Sequence, residues 1–122
     1  MSWEFVDSKP IYLQIIDRIQ LDIARGRYHP GEKLPSVRDL AAEAAVNPNT
    51  MQKALSELER EELVFSLRTS GRYITEDESR MKEVREKLAQ EQIAVLIRNL
   101  KAIGYTPEEI CQAVEKAAKE ME

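Results

Sequence analysis

The segment SVRDLAAEAAVNPNTMQKALSEL, Ser36 to Leu58, carries two helix starts in quick succession. Ser36 is a good N-cap. Asp39 stands at capping-box spacing from it, although Asp closes such a box less well than Glu. The helix that begins there runs through Leu40, Ala41 and Ala44 and is short. Asn47 is a second N-cap, and Pro48 takes the first helical position, where a missing N–H costs nothing. About three or four residues around Ala45 to Asn47 therefore join two short helices, the layout of a helix-turn-helix. In the second helix Met51, Ala54, Leu55 and Leu58 share one face at helical spacing. Asn49, Gln52, Lys53, Ser56 and Arg60 share the opposite, polar face.

Upstream, Tyr12, Ile15, Ile16, Ile19 and Ile23 form one apolar stripe, which predicts a helix beginning at Lys9 or Pro10 and ending at Gly26. Trp3 to Val6 reads as a short extended arm. The loop RYHPGEKLP follows, with Pro30-Gly31 as a turn and Pro35 holding Leu34 extended. Downstream of Leu63, Val64, Phe65 and Leu67 are β-prone, Arg68 to Arg72 is a polar turn containing Gly71, and Tyr73 to Thr75 is β-prone again. That pattern reads as a hairpin. A lone two-stranded hairpin is barely stable, so it must lean on the helices. Helix-turn-helix followed by such a hairpin is a winged helix. The expected fold is mainly α with a small β-hairpin, a winged helix-turn-helix followed by a two-helix dimerisation tail.

That tail, residues 76–122, differs in character. Glu76 to Lys101 is charged and helix-prone, with Met81, Val84, Leu88 and Val95 along one side; the apolar positions widen from Ile93 to Ile103. Gly104 stops this helix. Thr106-Pro107-Glu108-Glu109 starts another with a cap, a first-turn proline and a capping-box acid. Ile110, Ala113, Val114, Ala117 and Met121 line the last helix. Two such helices cannot hide all this surface from each other. About five large side chains left exposed would forgo roughly 1.5–3 kcal/mol each. A second copy of the chain is the expected cover, giving a homodimer through 76–122. The other arrangement left open is that the tail folds back on its own first helix.

The chain has 122 residues, 43% hydrophobic and 33% charged, which fits a packed, folded chain. No apolar run is long enough to span a bilayer, and MSWEFVDSKP is not a secretory signal. With one cysteine there is no internal disulfide, and the expected location is the cytoplasm. The formal charge of −4 argues against an overall basic coat but leaves a local phosphate-binding patch open. Residues 1–75 hold 10 basic against 11 acidic side chains and the rest 8 against 11, so the acid excess lies more in the tail. No Gly-rich phosphate loop, no nucleophile paired with a base and no metal-ligand cluster is present, so neither an enzyme nor a cofactor is expected. His29, before Pro30, reads as a loop residue. Cys111 reads as a partly buried structural thiol and Tyr105 as a packing residue between the last two helices.

Three stretches carry a resemblance. KPIYLQIIDRIQLDIARGRYHPGEKLPSVRDLA, VNPNTMQKALSELEREELV and SGRYIT follow one another as in the GntR family of bacterial transcription regulators, over nearly all of the first 75 residues. The short two-helix tail resembles the YtrA-like subfamily. The resemblance implies a winged helix-turn-helix domain over 1–75 that binds double-stranded operator DNA as a dimer. It implies DNA contacts by Arg38, by Asn49, Thr50, Gln52 and Lys53 at the start of the recognition helix, and an approach to the minor groove at the wing-tip Gly71. One departure stands out. The family usually reads EREGL where this chain has Glu61-Glu62-Leu63. Glu62 lacks glycine's tolerance of positive φ, so the helix end is expected to differ locally.

The chemistry of these positions agrees with that implication. Asn49 and Gln52 carry the paired donor and acceptor that match adenine, and Lys53 reaches guanine or a phosphate. The N-terminal end of that helix is expected to offer free N–H groups to a phosphate. Arg72 beside Gly71 suits a narrow minor groove. Lys33 and Arg68 are weaker candidates. Each of these has a plainer reading as a solvated face or a solubilising charge. A protein-interaction adaptor therefore stays open beside a repressor acting on a near-palindromic operator, and any small-molecule effector goes unnamed by the sequence.

Overall fold

The computed structural model describes residues 3–121. Helices α1 (Ile11–Ala24), α2 (Val37–Ala44) and α3 (Pro48–Arg60) are followed by strands β1 (Val64–Leu67) and β2 (Gly71–Ile74), then by helices α4 (Glu78–Ala102) and α5 (Pro107–Glu120). The chain divides into two compact units, one ending at Arg85 and the other starting at Glu86, a division that falls within α4. Among the described residues no helix is long and apolar enough to cross a membrane.

In the first unit α3 packs on α1, α2 and β1. The apolar stripe of α1 supplies Ile15, Ile16, Ile19 and Ile23 to the core, α2 supplies Leu40, Ala41 and Ala44, and α3 supplies Met51, Ala54, Leu55 and Leu58. Leu34, Leu63, Val64 and Ile74 close it from the side of the hairpin. Each large aliphatic side chain so buried contributes about 1.5–3 kcal/mol. The same contacts that stabilise the unit therefore fix the angle at which α3 shows its polar face.

Only Ala45, Val46 and Asn47 separate α2 from α3. Ala45 turns the chain with a left-handed φ of 59°. Val46 N–H then donates back to the Ala41 carbonyl at 3.0 Å, a Schellman-type closure. The end of α3 closes in the same way, with Leu63 N–H donating to the Leu58 carbonyl at 3.1 Å. Glu62 sits there at φ 64°. The local change expected from the missing glycine is thus not made. The backbone keeps the left-handed bend, and a Cβ-bearing residue carries its strain.

The hairpin pairs Val64 with Ile74, Phe65 with Tyr73, Ser66 with Arg72 and Leu67 with Gly71. Its turn is therefore Arg68 to Ser70, and Gly71 and Arg72 belong to β2 rather than to the turn. The hairpin has support that the sequence pattern does not reveal. The segment before α2 runs along the far edge of β2: Gly31 N–H donates to the Ile74 carbonyl, Ile74 N–H to the Glu32 carbonyl and Leu34 N–H to the Arg72 carbonyl, each at 2.9 Å. Lys33 is bridged to Tyr73 within this ladder. A marginal ribbon thereby gains a third partner.

The N-terminal arm is pinned by a ring of side chains. Trp3 is buried, and its indole N–H donates to Glu43 of α2 at 2.9 Å. Arg27 bridges Glu43 and the buried Asp22, each at 3.1 Å. Arg18 reaches Asp22 at 3.3 Å and lies over the Trp3 ring at 4.7 Å.

In the second unit Thr106 makes the full capping box. Its hydroxyl accepts from Glu109 N–H at 3.2 Å, and its own N–H donates to the Glu109 carboxylate at 2.9 Å. Ile110 is buried, but Ile93, Val95, Leu96, Ile103, Val114 and Met121 are exposed. Two sequence expectations change here. Tyr105 is 40% exposed rather than packed, and Cys111 is exposed rather than partly buried. The apolar stripe of the tail is wider than one neighbouring helix can cover, so residues at its margins are left uncovered within the single chain.

The strain at Glu62 yields a stability prediction. Glu62→Gly should raise unfolding stability by about 0.5–1 kcal/mol, the left-handed cost less glycine's added chain entropy. Urea unfolding at one fixed protein concentration measures it, and a lowered midpoint would show that the bend carries no strain.

Candidate nucleic-acid interface

The first turn of α3 is organised by Asn47. Its side-chain oxygen accepts from Asn49 N–H at 2.7 Å, while its carbonyl accepts from Thr50 N–H at 3.0 Å and Met51 N–H at 3.1 Å. Pro48 has no N–H to offer. The backbone donors of this turn are therefore taken, and the expectation of free N–H groups for a phosphate at this end is not met. What the turn presents is side chains. Asn49, Gln52 and Lys53 are exposed and Thr50 is half-buried. The Gln52 amide donates to Ser56 at 3.3 Å, one turn along the same face. The Lys53 ammonium lies 3.9 Å from the centre of the Tyr12 ring of α1, a cation–π contact that steadies an otherwise loose side chain.

The open donor end is that of α2. Ser36 accepts Asp39 N–H through its hydroxyl at 3.1 Å and Leu40 N–H through its carbonyl at 2.9 Å. The N–H groups of Val37 and Arg38 have no partner among the described residues. Arg38 is exposed and makes no ion pair among them. The first turn of α2 thus combines unsatisfied donors, the positive end of a helix dipole and a free guanidinium.

A groove runs between this turn and the wing. Lys33, Leu34, Pro35, Ser36, Val37 and Asp39 line one side, and Ser70, Gly71 and Arg72 line the other. Gly71 has φ 120°, and a Cβ there would lie 3.1 Å from the Lys33 stem. The φ favours glycine, whereas the exposed, flexible tip of Lys33 can shift aside. Arg68 is exposed in the turn. His29 is exposed in its loop, where its N–H donates to the Glu32 carboxylate at 2.9 Å.

Arg72 is placed differently from a free wing arginine. Its side chain is only 19% exposed, and its Nε donates to Glu59 of α3. Glu59 also accepts the Ser66 hydroxyl at 2.7 Å, through the same oxygen. Burial pushes the Glu59 carboxyl up, but the hydrogen bonds from Ser66 and Arg72 and the charge of Arg72 outweigh it and hold the group below the usual carboxylate range. Sequence reading brought Arg38, Asn49, Thr50, Gln52, Lys53, Gly71 and Arg72 forward and passed over Glu59 and Tyr12. Neither shows a local signal. Both act on residues far along the chain, and only the packing of α1 and the hairpin on α3 brings the partners together.

Residues 11–74 match the family model described as "Bacterial regulatory proteins, gntR family". The chain is 40% identical over 115 residues to the "Uncharacterized HTH-type transcriptional regulator YhcF" of Bacillus subtilis, covering 94% of this chain and 95% of that protein. It is 45% identical over 89 residues to the "HTH-type transcriptional repressor YtrA" of the same organism, covering 68% of each. The solved structure of a GntR family transcriptional regulator from Listeria monocytogenes superimposes with a TM-score of 0.82 at 40% identity, over 92% of this chain and 98% of that one. The match spans α1 to the end of β2, the stretch that builds the turn, the recognition edge and the wing. The chain therefore belongs to the gntR family of bacterial regulatory proteins, as a YtrA-like, winged helix-turn-helix DNA-binding transcription regulator.

Proposed function

We propose that the chain is a cytoplasmic repressor that binds a near-palindromic operator as a homodimer, with residues 1–75 reading DNA and 76–122 joining the two copies. The observation that carries this reading is the exposed edge of Asn49, Gln52 and Lys53 on a helix whose every apolar side chain is committed to the core. Asn49, Thr50, Gln52 and Lys53 would enter the major groove and meet base edges. Arg38 would meet a phosphate beside them. Gly71 would bring the wing against the minor groove with Arg72 next to it. Arg38, Lys53 and Arg68 are exposed and form no ion pair among the described residues, which favours a polyanion over an adaptor's protein partner.

The exposed apolar side chains of the tail support a second copy as its cover. Twofold pairing would set two recognition helices about 34 Å apart, one turn of duplex. Any small-molecule effector would act by changing that spacing. No catalytic step and no cofactor belongs to this reading.

Three measurements test it. Arg38→Ala should weaken binding to operator and scrambled duplexes alike and flatten the salt dependence by about 0.9 in log–log slope per lost phosphate contact. Gln52→Ala should instead relax discrimination at one base position per half-site, by about 1–3 kcal/mol. Fluorescence anisotropy with both duplexes reads the two effects, and equal binding of the unaltered chain to both would remove the operator reading. For the tail, Ile103→Asp should convert a dimer to a monomer in light scattering. A monomeric unaltered chain at micromolar concentration would remove the dimer.

A further inference from the structure

The wing arginine is held by an acid that the recognition helix itself supplies. Glu59 lies on α3, beyond the edge that carries Asn49, Gln52 and Lys53. Its Oε1 accepts both the Ser66 hydroxyl and the Arg72 Nε, and Ser66 and Arg72 are cross-strand partners. One carboxylate therefore ties both strands of the wing to the helix. It also cancels the charge of the guanidinium that lines the groove beside Gly71.

We propose that Glu59 is a specificity-determining residue: it withholds the Arg72 guanidinium from DNA phosphates unless the wing is seated on its proper site. The inference rests on the operator-binding reading above. On a duplex of the wrong sequence α3 does not seat, no close phosphate or groove edge is offered, and Arg72 stays on Glu59. Non-specific attraction, which is a sum of phosphate contacts, then lacks that contribution. On the operator, base contacts hold the wing against its groove, and a phosphate or a narrow minor groove competes for Arg72 at close range. The ion pair thus lowers binding to all duplexes, but the cost is recovered only at the site α3 recognises. A repressor must find its site among a great excess of wrong ones, so the ratio matters more than the affinity.

Glu59→Gln separates charge from shape. The amide oxygen still accepts from Ser66, but it no longer holds the guanidinium by charge. The expected result is a severalfold gain in affinity for scrambled duplex, a smaller gain for operator, and a log–log salt slope steeper by about 0.9 for each freed contact. Elution from heparin, a polyanion without bases, should move to higher salt. In the E59Q/R72Q double variant these gains should vanish. Ser66→Ala, which loosens the wing but leaves the ion pair, should keep the slope of the unaltered chain. An unchanged slope in Glu59→Gln, gains that survive in the double variant, or the same gains in Ser66→Ala would each overturn the proposal.

A measurement on the unaltered chain guards against a variant that folds poorly. The Arg72 Nε–H resonance should be unmoved by scrambled duplex and shifted by operator; an equal shift with both overturns the idea. Failure of the unaltered chain to tell operator from scrambled DNA would sink the operator reading. The heparin elution would still decide whether Glu59 masks a charge.

Discussion

Asn47 spends its side chain and its carbonyl on the first turn of α3, and much of the molecule's chemistry follows from that. With Ala45 bent left-handed before it, the connection between α2 and α3 needs only three residues. So short a link leaves little freedom in how the two helices meet. It also saturates the backbone donors at the start of α3. Whatever this helix recognises, it must recognise with side chains, which can be exchanged without altering the turn. The unsatisfied donors sit instead on α2, next to Arg38. The two neighbouring helix starts thus differ, one cap leaving backbone donors open among the described residues and the other closing them.

The helices were legible in the sequence because each is declared by local chemistry. Ser36, Asn47 and Thr106 are caps, Pro48 and Pro107 fit only a first turn, and the apolar stripes repeat at helical spacing. The core followed from those stripes almost residue by residue. The candidate site was legible as far as it lies at a helix start: Arg38, Asn49 and Gln52 fall where cap chemistry and helical spacing put them, whereas Gly71 sits in β2 rather than in the turn. Fine placement was not legible. The edge of β2 is covered by Gly31 to Leu34, a stretch whose own composition says only turn and proline. Arg72 was read as a free wing cation, and its commitment to Glu59 depends on a hairpin crossing an earlier helix. Glu62 is a third kind of miss. Propensity argued against a left-handed glutamate, and the closure of the helix end, with Leu63 buried behind it, overrode propensity.

Acid near a DNA-reading surface looks like a fault when charges are only counted. Here the net charge is negative, yet Arg38, Lys53 and Arg68 are exposed and form no ion pair among the described residues, while several acids are occupied by arginines. Asp22 is buried among Arg18, Arg25 and Arg27, and removing any one of them would leave a buried carboxylate less compensated. Total charge therefore says little about this surface. The pairing of each charge says more.

The ring that pins the arm has a practical corollary. Trp3 is the single tryptophan, and its indole is enclosed by Glu43, Arg18 and the neighbouring Phe5 ring. The chromophore thus touches α2 directly through Glu43. Intrinsic emission from this chain is a built-in gauge of whether the arm and α2 remain seated together. It needs no added label and lies clear of the groove where one would disturb binding.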